Sequence, residues 1–108
     1  MKLIVVKKLI VFISIVFSIV YSEIIYRVPI EGVIDLGLPP YIKRVIKEAE
    51  ASKIDAIVFE INTFGGRVDA ATQIKDAILS SEVQTIAFIN RRAISAGALI
   101  SLSCEKIF

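Results

Sequence analysis

Ala56-Ile57-Val58-Phe59-Glu60-Ile61-Asn62-Thr63-Phe64-Gly65-Gly66 decides how this chain folds. From Ala56 to Ile61 the residues are short, β-branched and apolar on both faces except for Glu60, as expected of a buried strand in a parallel sheet. Gly65 and Gly66 then mark a tight turn into a helix. A second unit of the same kind follows: Thr85 to Ile89 reads as a strand and Asn90-Arg91-Arg92 as its turn. Ala93-Ile94-Ser95-Ala96-Gly97 then opens a buried helix of small and apolar residues reaching about Cys104. Strands alternating with helices imply parallel crossovers on one sheet, so the expected class is α/β, a parallel sheet with βα crossovers.

Working outward, a helix is expected from about Arg67 to Leu79, with Val68, Ala71, Ile74 and Ile78 on one face and Asp69, Gln73, Lys75 and Asp76 off it. Upstream, Leu38-Pro39-Pro40 suits the first turn of a helix. Tyr41, Ile42, Val45, Ile46 and Ala49 then recur at helical spacing. Before it, Ile24, Tyr26, Val28 and Ile30, then Val33 and Ile34, read as one strand or two interrupted by Gly32. Pro29 argues for an edge or a bend there. Lys106-Ile107-Phe108 reads as the opening of another strand. Such a chain has only about three βα units, where doubly covered sheets normally need more, so residues 23–108 are expected to be the front half of a domain.

The start of the chain bears on compartment. Lys2, Lys7 and Lys8 form a basic n-region, and the apolar run from Leu9 falls short of the ~20 residues of a membrane span. Val20-Tyr21-Ser22 offers a cleavage region before Glu23. Residues 1–22 are therefore expected to be a secretory signal peptide, with a short uncleaved anchor as the alternative, and the product to be exported to the outer side of the membrane. Setting those three lysines aside turns the formal charge from +2 to −1. A near-neutral domain without a Lys/Arg stripe gives no footprint for nucleic acid. The single cysteine, Cys104, can form no internal disulfide and reads as a small buried side chain.

The chemistry concentrates in the two turns. Each places the first free N–H groups of a helix where they can hold a developing oxyanion. Both would lie at the carboxyl ends of successive strands, the edge where open α/β sheets put their sites. Each motif also has a plain reading: glycine is the default in tight turns, and serine is a favoured helix N-cap. With no histidine in the 108 residues, a Ser-His-Asp triad is excluded, and a catalytic Ser95 would need a lysine or carboxylate as its base.

Ile61-Asn62-Thr63-Phe64-Gly65-Gly66-Arg67-Val68-Asp69-Ala70-Ala71 resembles the Asn-Thr-Pro-Gly-Gly element of NfeD-type membrane-bound serine proteases, relatives of Clp protease and signal peptide peptidase A. Arg92-Ala93-Ile94-Ser95-Ala96-Gly97 resembles their Arg-Ala-Ala-Ser-Ala-Gly element. The resemblance runs from about Tyr26 to Phe108. It implies a Clp-protease/crotonase-like fold and a Ser-Lys dyad that cleaves hydrophobic peptide segments of membrane proteins, bound as an added strand. Carried over by residue, it makes Ser95 the nucleophile and assigns the oxyanion hole to Gly65, Gly66 and the Ala96 amide. Phe64, which replaces the usual proline, Ile94, which replaces alanine, Arg67 and Val68 are expected to border the substrate. The family's general-base lysine lies some tens of residues after the serine, beyond Phe108, and Lys106 is too near and in the wrong element to replace it. The full-length form is expected to be a membrane-associated homodimer without metal or organic cofactor. Two other readings stand beside this one: a crotonase-type acyl-CoA enzyme, which shares the paired-amide hole, and a non-catalytic interaction module derived from a protease.

Overall fold

The computed structural model describes residues 2–20 and 22–108. Its elements run α1 (Lys2–Val20), β1 (Ile25–Ile34), α2 (Leu38–Ala51), β2 (Ala56–Gly66), α3 (Val68–Leu79), β3 (Gln84–Ala93), α4 (Ala96–Ser103) and β4 (Lys106–Ile107). The strands form one sheet in the order β1-β2-β3-β4, and every pair is parallel, as the alternating pattern requires. β1 is an edge strand, which is why Pro29 is tolerated opposite Glu60. Among the described residues, no helix is long and apolar enough to cross a membrane. Tyr21, in the expected cleavage region, lies outside the described residues.

One face of the sheet supplies Val28 and Ile30 from β1, Ile57, Phe59 and Ile61 from β2, and Ala87 from β3. These pack into a single core with Ile42 and Ile46 of α2, Ala71, Ile74 and Ile78 of α3, and Ile100 of α4. The opposite face is less covered than a two-sided apolar strand suggests. Phe88 and Ile25 are exposed there, and Val58 is half-buried. Glu60, the one polar residue of the β2 run, belongs to this face. Its carboxylate accepts from Arg27 Nε and, at 2.9 Å, from Asn90 Nδ2. Hydrogen bonds from Arg27 and then Asn90 hold the Glu60 carboxyl below its ordinary range despite partial burial.

Helix α2 begins with proline in its first turn, where a missing N–H is harmless, and buries Pro39, Ile42, Ile46 and Ala49. It stops in a left-handed cap. Lys53 takes φ +52, Lys53 N–H bonds the Glu50 carbonyl, and Ile54 N–H bonds the Ala49 carbonyl. That cap turns the chain directly into β2.

Three local expectations change. β2 does not end at a Gly-Gly turn but continues through Gly66, because Val33 and Ile34 of β1 pair with Gly65 and Gly66. Asn90-Arg91-Arg92 is likewise the upper end of β3, kinked where Arg91 takes φ +86. Val68 is on the outside of α3 at 67% exposure, and Ala70 takes its place in the core.

Candidate active site

The upper ends of β1, β2 and β3 all lose regular register. β1 shifts between Glu31 and Val33, where Gly32 takes φ +73, and the β2/β3 pairing shifts between Ile61 and Thr63. Bulges of this kind bend a strand and re-aim its side chains. Here they bring the two glycines of β2 against the start of α4. Ile94 N–H bonds the Thr63 carbonyl at 3.1 Å and ties the two segments together.

Ser95 sits at the N-cap position of α4 with φ +53 and ψ −115, outside both the helical and the ordinary left-handed wells. Its side chain makes no cap hydrogen bond, and the residue is exposed. Ser95 thus holds the N-cap position without capping the helix through its hydroxyl. A strained strand-to-helix turn that presents a serine Oγ is the geometry of a nucleophile elbow. Holding it costs about 1–3 kcal/mol, which the surrounding packing must offset.

Gly65 faces this turn. A Cβ on Gly65 would stand 2.9 Å from Ser95 Cβ, 3.0 Å from the Ile94 carbonyl oxygen and 3.2 Å from the Ala96 nitrogen, and the residue takes φ +109. Only glycine fits there. Gly66 is required for a different reason, since its Cβ would lie 2.2 Å from the Ile34 carbonyl oxygen of β1.

The amides sort themselves by register. Arg67 N–H donates to the Ile34 carbonyl at 2.8 Å and closes the β1–β2 ladder just above Gly66. Gly65 N–H is already held by Thr63 Oγ1 at 2.9 Å. Within the first turn of α4, the amides of Gly97, Ala98 and Leu99 are bonded to the carbonyls of Ile94 and Ser95. The Ala96 amide is the first-turn donor left on the Gly65 side. Of the three residues expected at an oxyanion hole, Gly65 lies against Ser95 and Ala96 with its N–H bonded to Thr63, and Gly66 lies against Ile34 of β1.

A cavity of about 260 Å³ opens beside Ser95, lined by Val68, Ala71, Ser95, Ala96 and Leu99. Of the expected substrate-bordering residues, only Val68 lines it. Phe64 is 69% exposed, with the Arg92 guanidinium over its ring at 4.3 Å from the centroid. Arg67 is turned onto Asp69 in a bidentate pair at 3.0 and 2.8 Å, which raises the arginine and lowers the aspartate from their ordinary pKa values. Ile94 is exposed beside Ser95 and does not line the cavity. Ala71 and Leu99 were not anticipated there, although Leu99 follows Ser95 by one helical turn and so shares its face. Lys106 lies in β4, paired with Ile86 of β3, and no lysine lines the cavity. Cys104 is buried at the end of α4, where desolvation pushes its thiol up to about 11 and leaves it unreactive.

A larger cleft of about 370 Å³ runs between α2 and α3 and includes Ser80. The Ser80 hydroxyl donates to the Asp76 carbonyl, and the strained backbone that distinguishes Ser95 is absent.

A parallel sheet with helical crossovers and a serine elbow facing a glycine pair defines a protease-like domain of the ClpP-like fold. Residues 24–108 match the family model of the NfeD1b N-terminal domain, and the chain belongs to that family. It is 36% identical over 87 residues to membrane protein NfeD1b of Bacillus subtilis, covering 81% of this chain and 20% of that one. It is 32% identical over 102 residues to the membrane-bound protease PH1510 of Pyrococcus horikoshii, covering 92% of this chain and 23% of that one. The chain thus spans about a fifth of the length of these relatives. Among solved structures, 1510-N, described as a membrane protease specific for a stomatin homolog from Pyrococcus horikoshii, superposes with a TM-score of 0.73 at 32% identity. That match covers 81% of this chain and 45% of the other. A 1510-N variant bound to a substrate peptide matches at 0.72 and 31%, covering 80% and 41%. ClpP1 from Listeria monocytogenes matches at 0.70 and 29%, covering 73% and 46%.

Proposed function

We propose that the chain carries the nucleophile half of a membrane-associated serine endopeptidase of the Ser-Lys type. The observation that carries this reading is Ser95: an uncapped hydroxyl on a strained elbow, against Gly65 and at the start of α4 beside the Ala96 amide. Support also comes from the relatives, one a membrane-bound protease and one solved with a substrate peptide. In the reaction, a general-base lysine, which none of the residues lining the cavity supplies, takes the proton from Ser95 Oγ, which attacks the peptide carbonyl carbon. A lysine can act so near neutral pH when desolvation lowers its pKa. The Gly66 and Ala96 amides then hold the oxyanion, and the lysine returns the proton to the departing amine. Water resolves the acyl-enzyme.

The apolar cavity beside Ser95 suits a hydrophobic side chain next to the cleaved bond. We propose segments of membrane proteins as the substrates, an extracytoplasmic location directed by residues 1–22, and a homodimer as the working form. Alkaline phosphatase joined after Phe108 should be active in a bacterial host, and activity from a cytoplasmic reporter alone would overturn the assigned location. For the enzyme itself, the full-length protein should cleave hydrophobic peptides, and Ser95→Ala should remove that cleavage while leaving the melting temperature within a few degrees. Cleavage that survives Ser95→Ala would overturn the reading.

A further inference from the structure

Thr63 touches three segments that meet at the site: the bulge of β1, the glycines of β2 and the start of α4. Its side chain is buried at 2% exposure, just past the point where the β2/β3 register shifts and two residues before the glycines. Its hydroxyl donates to the Gly32 carbonyl in the bulge of β1 and accepts Gly65 N–H at 2.9 Å. The same oxygen stands 3.4 Å from the Gly65 carbonyl oxygen. Its own carbonyl accepts Ile94 N–H, one residue before Ser95. Its methyl, Cγ2, reaches to 2.5 Å from where a Cβ on Gly97 would be, so the first turn of α4 rests on Thr63 through a glycine.

These contacts have a consequence for the proposed chemistry. The Gly65 carbonyl and Gly66 N–H belong to one planar peptide group, so whatever fixes one end aims the other. Gly65, at φ +109, has no side chain to restrain that plane and is the residue with the widest choice of backbone angles. The Thr63 hydroxyl replaces that missing restraint. It brackets the Gly65 α-carbon from both sides, accepting the N–H of the Phe64–Gly65 peptide at 2.9 Å and reaching the carbonyl oxygen of the Gly65–Gly66 peptide at 3.4 Å, and through Gly32 it anchors the hold to β1.

We propose that Thr63 is the positioning residue of the oxyanion hole: its hydroxyl fixes the Gly65-Gly66 peptide plane so that Gly66 N–H is aimed at the carbonyl attacked by Ser95, and its methyl seats α4 so that Ala96 N–H meets the same point. This rests on the protease reading above. Thr63 touches no substrate atom. It acts on the reaction only through the two amides, so its loss should weaken what those amides do in the transition state more than it weakens substrate binding.

The test is steady-state cleavage of a hydrophobic peptide by the full-length protein in four forms: unaltered, Ser95→Ala, Thr63→Val and Thr63→Ser. Valine keeps the shape and removes the hydroxyl, whereas serine keeps the hydroxyl and removes the methyl. Because displacement of a positioned group by about 1 Å can cost about 10²-fold, Thr63→Val should lower kcat by about that factor with KM changed less than about three-fold. Thr63→Ser should recover at least ten-fold of the loss. A readout independent of folding comes from a peptide aldehyde or boronate, whose tetrahedral adduct uses the same amides: Thr63→Val should weaken it in proportion to the fall in kcat. The proposal is overturned if Thr63→Val keeps kcat, if its loss lies entirely in KM, or if Thr63→Ser is no better than Thr63→Val. Survival of cleavage in Ser95→Ala would instead overturn the protease reading on which the proposal stands. If Thr63→Val does not fold, Thr63→Ala beside Thr63→Ser decides, since both lack the methyl and only serine keeps the hydroxyl: serine should be at least ten-fold faster in kcat, and equal kcat would overturn the proposal.

Discussion

The lower and upper halves of the sheet follow opposite rules. From Ala56 to Ile61, β2 pairs residue for residue with both β1 and β3, and Ile57, Phe59 and Ile61 are fully buried. Above Ile61, the register slips on both sides and the upper ends of the strands carry positions of unusual backbone: Gly32 at φ +73, Gly65 at φ +109, Arg91 at φ +86 and, at the start of α4, Ser95 at φ +53. The lower half carries the packed core, and the upper half holds a strained serine against Gly65. Where strain is concentrated in a protein with a well-packed base, the strained end is the place to look for chemistry.

The comparison can be broken most severely at Gly66, where the two halves meet. Gly66→Val sets a side chain within 2.2 Å of the Ile34 carbonyl oxygen, so β1 must leave β2 at its upper end. The variant should be insoluble or lack a cooperative melt by circular dichroism, and a native-like melt would show that β1 is not held there. Phe59→Ala comes next. It removes a ring at zero exposure from the regular half and should lower unfolding free energy by about 3–5 kcal/mol in denaturant titration. A loss below 1 kcal/mol would mean that the base is not where stability resides.

Ser95→Gly sharpens the contrast because it should act in the other direction. Glycine accepts φ +53 and ψ −115 without a Cβ, so the variant should lose cleavage yet gain about 1 kcal/mol over Ser95→Ala. Equal stability of the two would mean the elbow stores no strain. The smallest effect is expected on the open face. Glu60 is held below its ordinary pKa of 4.5, chiefly by the hydrogen bond from Arg27. A depressed carboxyl contributes stability above its unfolded pKa, and that contribution is lost as pH falls through the folded value. Glu60→Gln should therefore flatten the fall of the melting temperature below about pH 4.5 and leave the peptidase reaction unchanged. An unchanged acid limb would show that Arg27 and Asn90 do not set the carboxyl's titration.

Much of the regular half was legible from the sequence, because each element announces itself locally. Ala56 to Ile61 carries the unbroken apolar run of a buried strand, and Ile42, Ile46 and Ala49 recur at the helical period they turn out to bury. The irregular half was legible as a pair of motifs but not as geometry. Nothing in Asn62-Thr63-Phe64-Gly65-Gly66 says that β1 will bulge at Gly32 and resume pairing beside the glycines, which turns an expected tight turn into a paired strand. Asn90-Arg91-Arg92 looks polar enough for a turn, yet register with β2 carries β3 through to Ala93. Val68 fits the apolar stripe of α3 by spacing, but it stands in the first turn, where the helix overhangs the cavity instead of the core. The division of labour between Gly65 and Gly66 depends on a side-chain hydroxyl meeting a backbone amide, which no periodicity encodes.

Whether Ser95 is presented as a nucleophile, unlike Ser80, Ser101 and Ser103, can be read with a fluorophosphonate applied to the full-length protein. Mass spectrometry of the digested product should find one phosphonylated peptide, containing Ser95, with no label on Ser80, Ser101 or Ser103, whose hydroxyls donate to the carbonyls of Asp76, Gly97 and Leu99. Labelling should disappear in Ser95→Ala. An adduct on another serine, or peptide cleavage by a protein whose Ser95 is never labelled, would contradict the nucleophile reading.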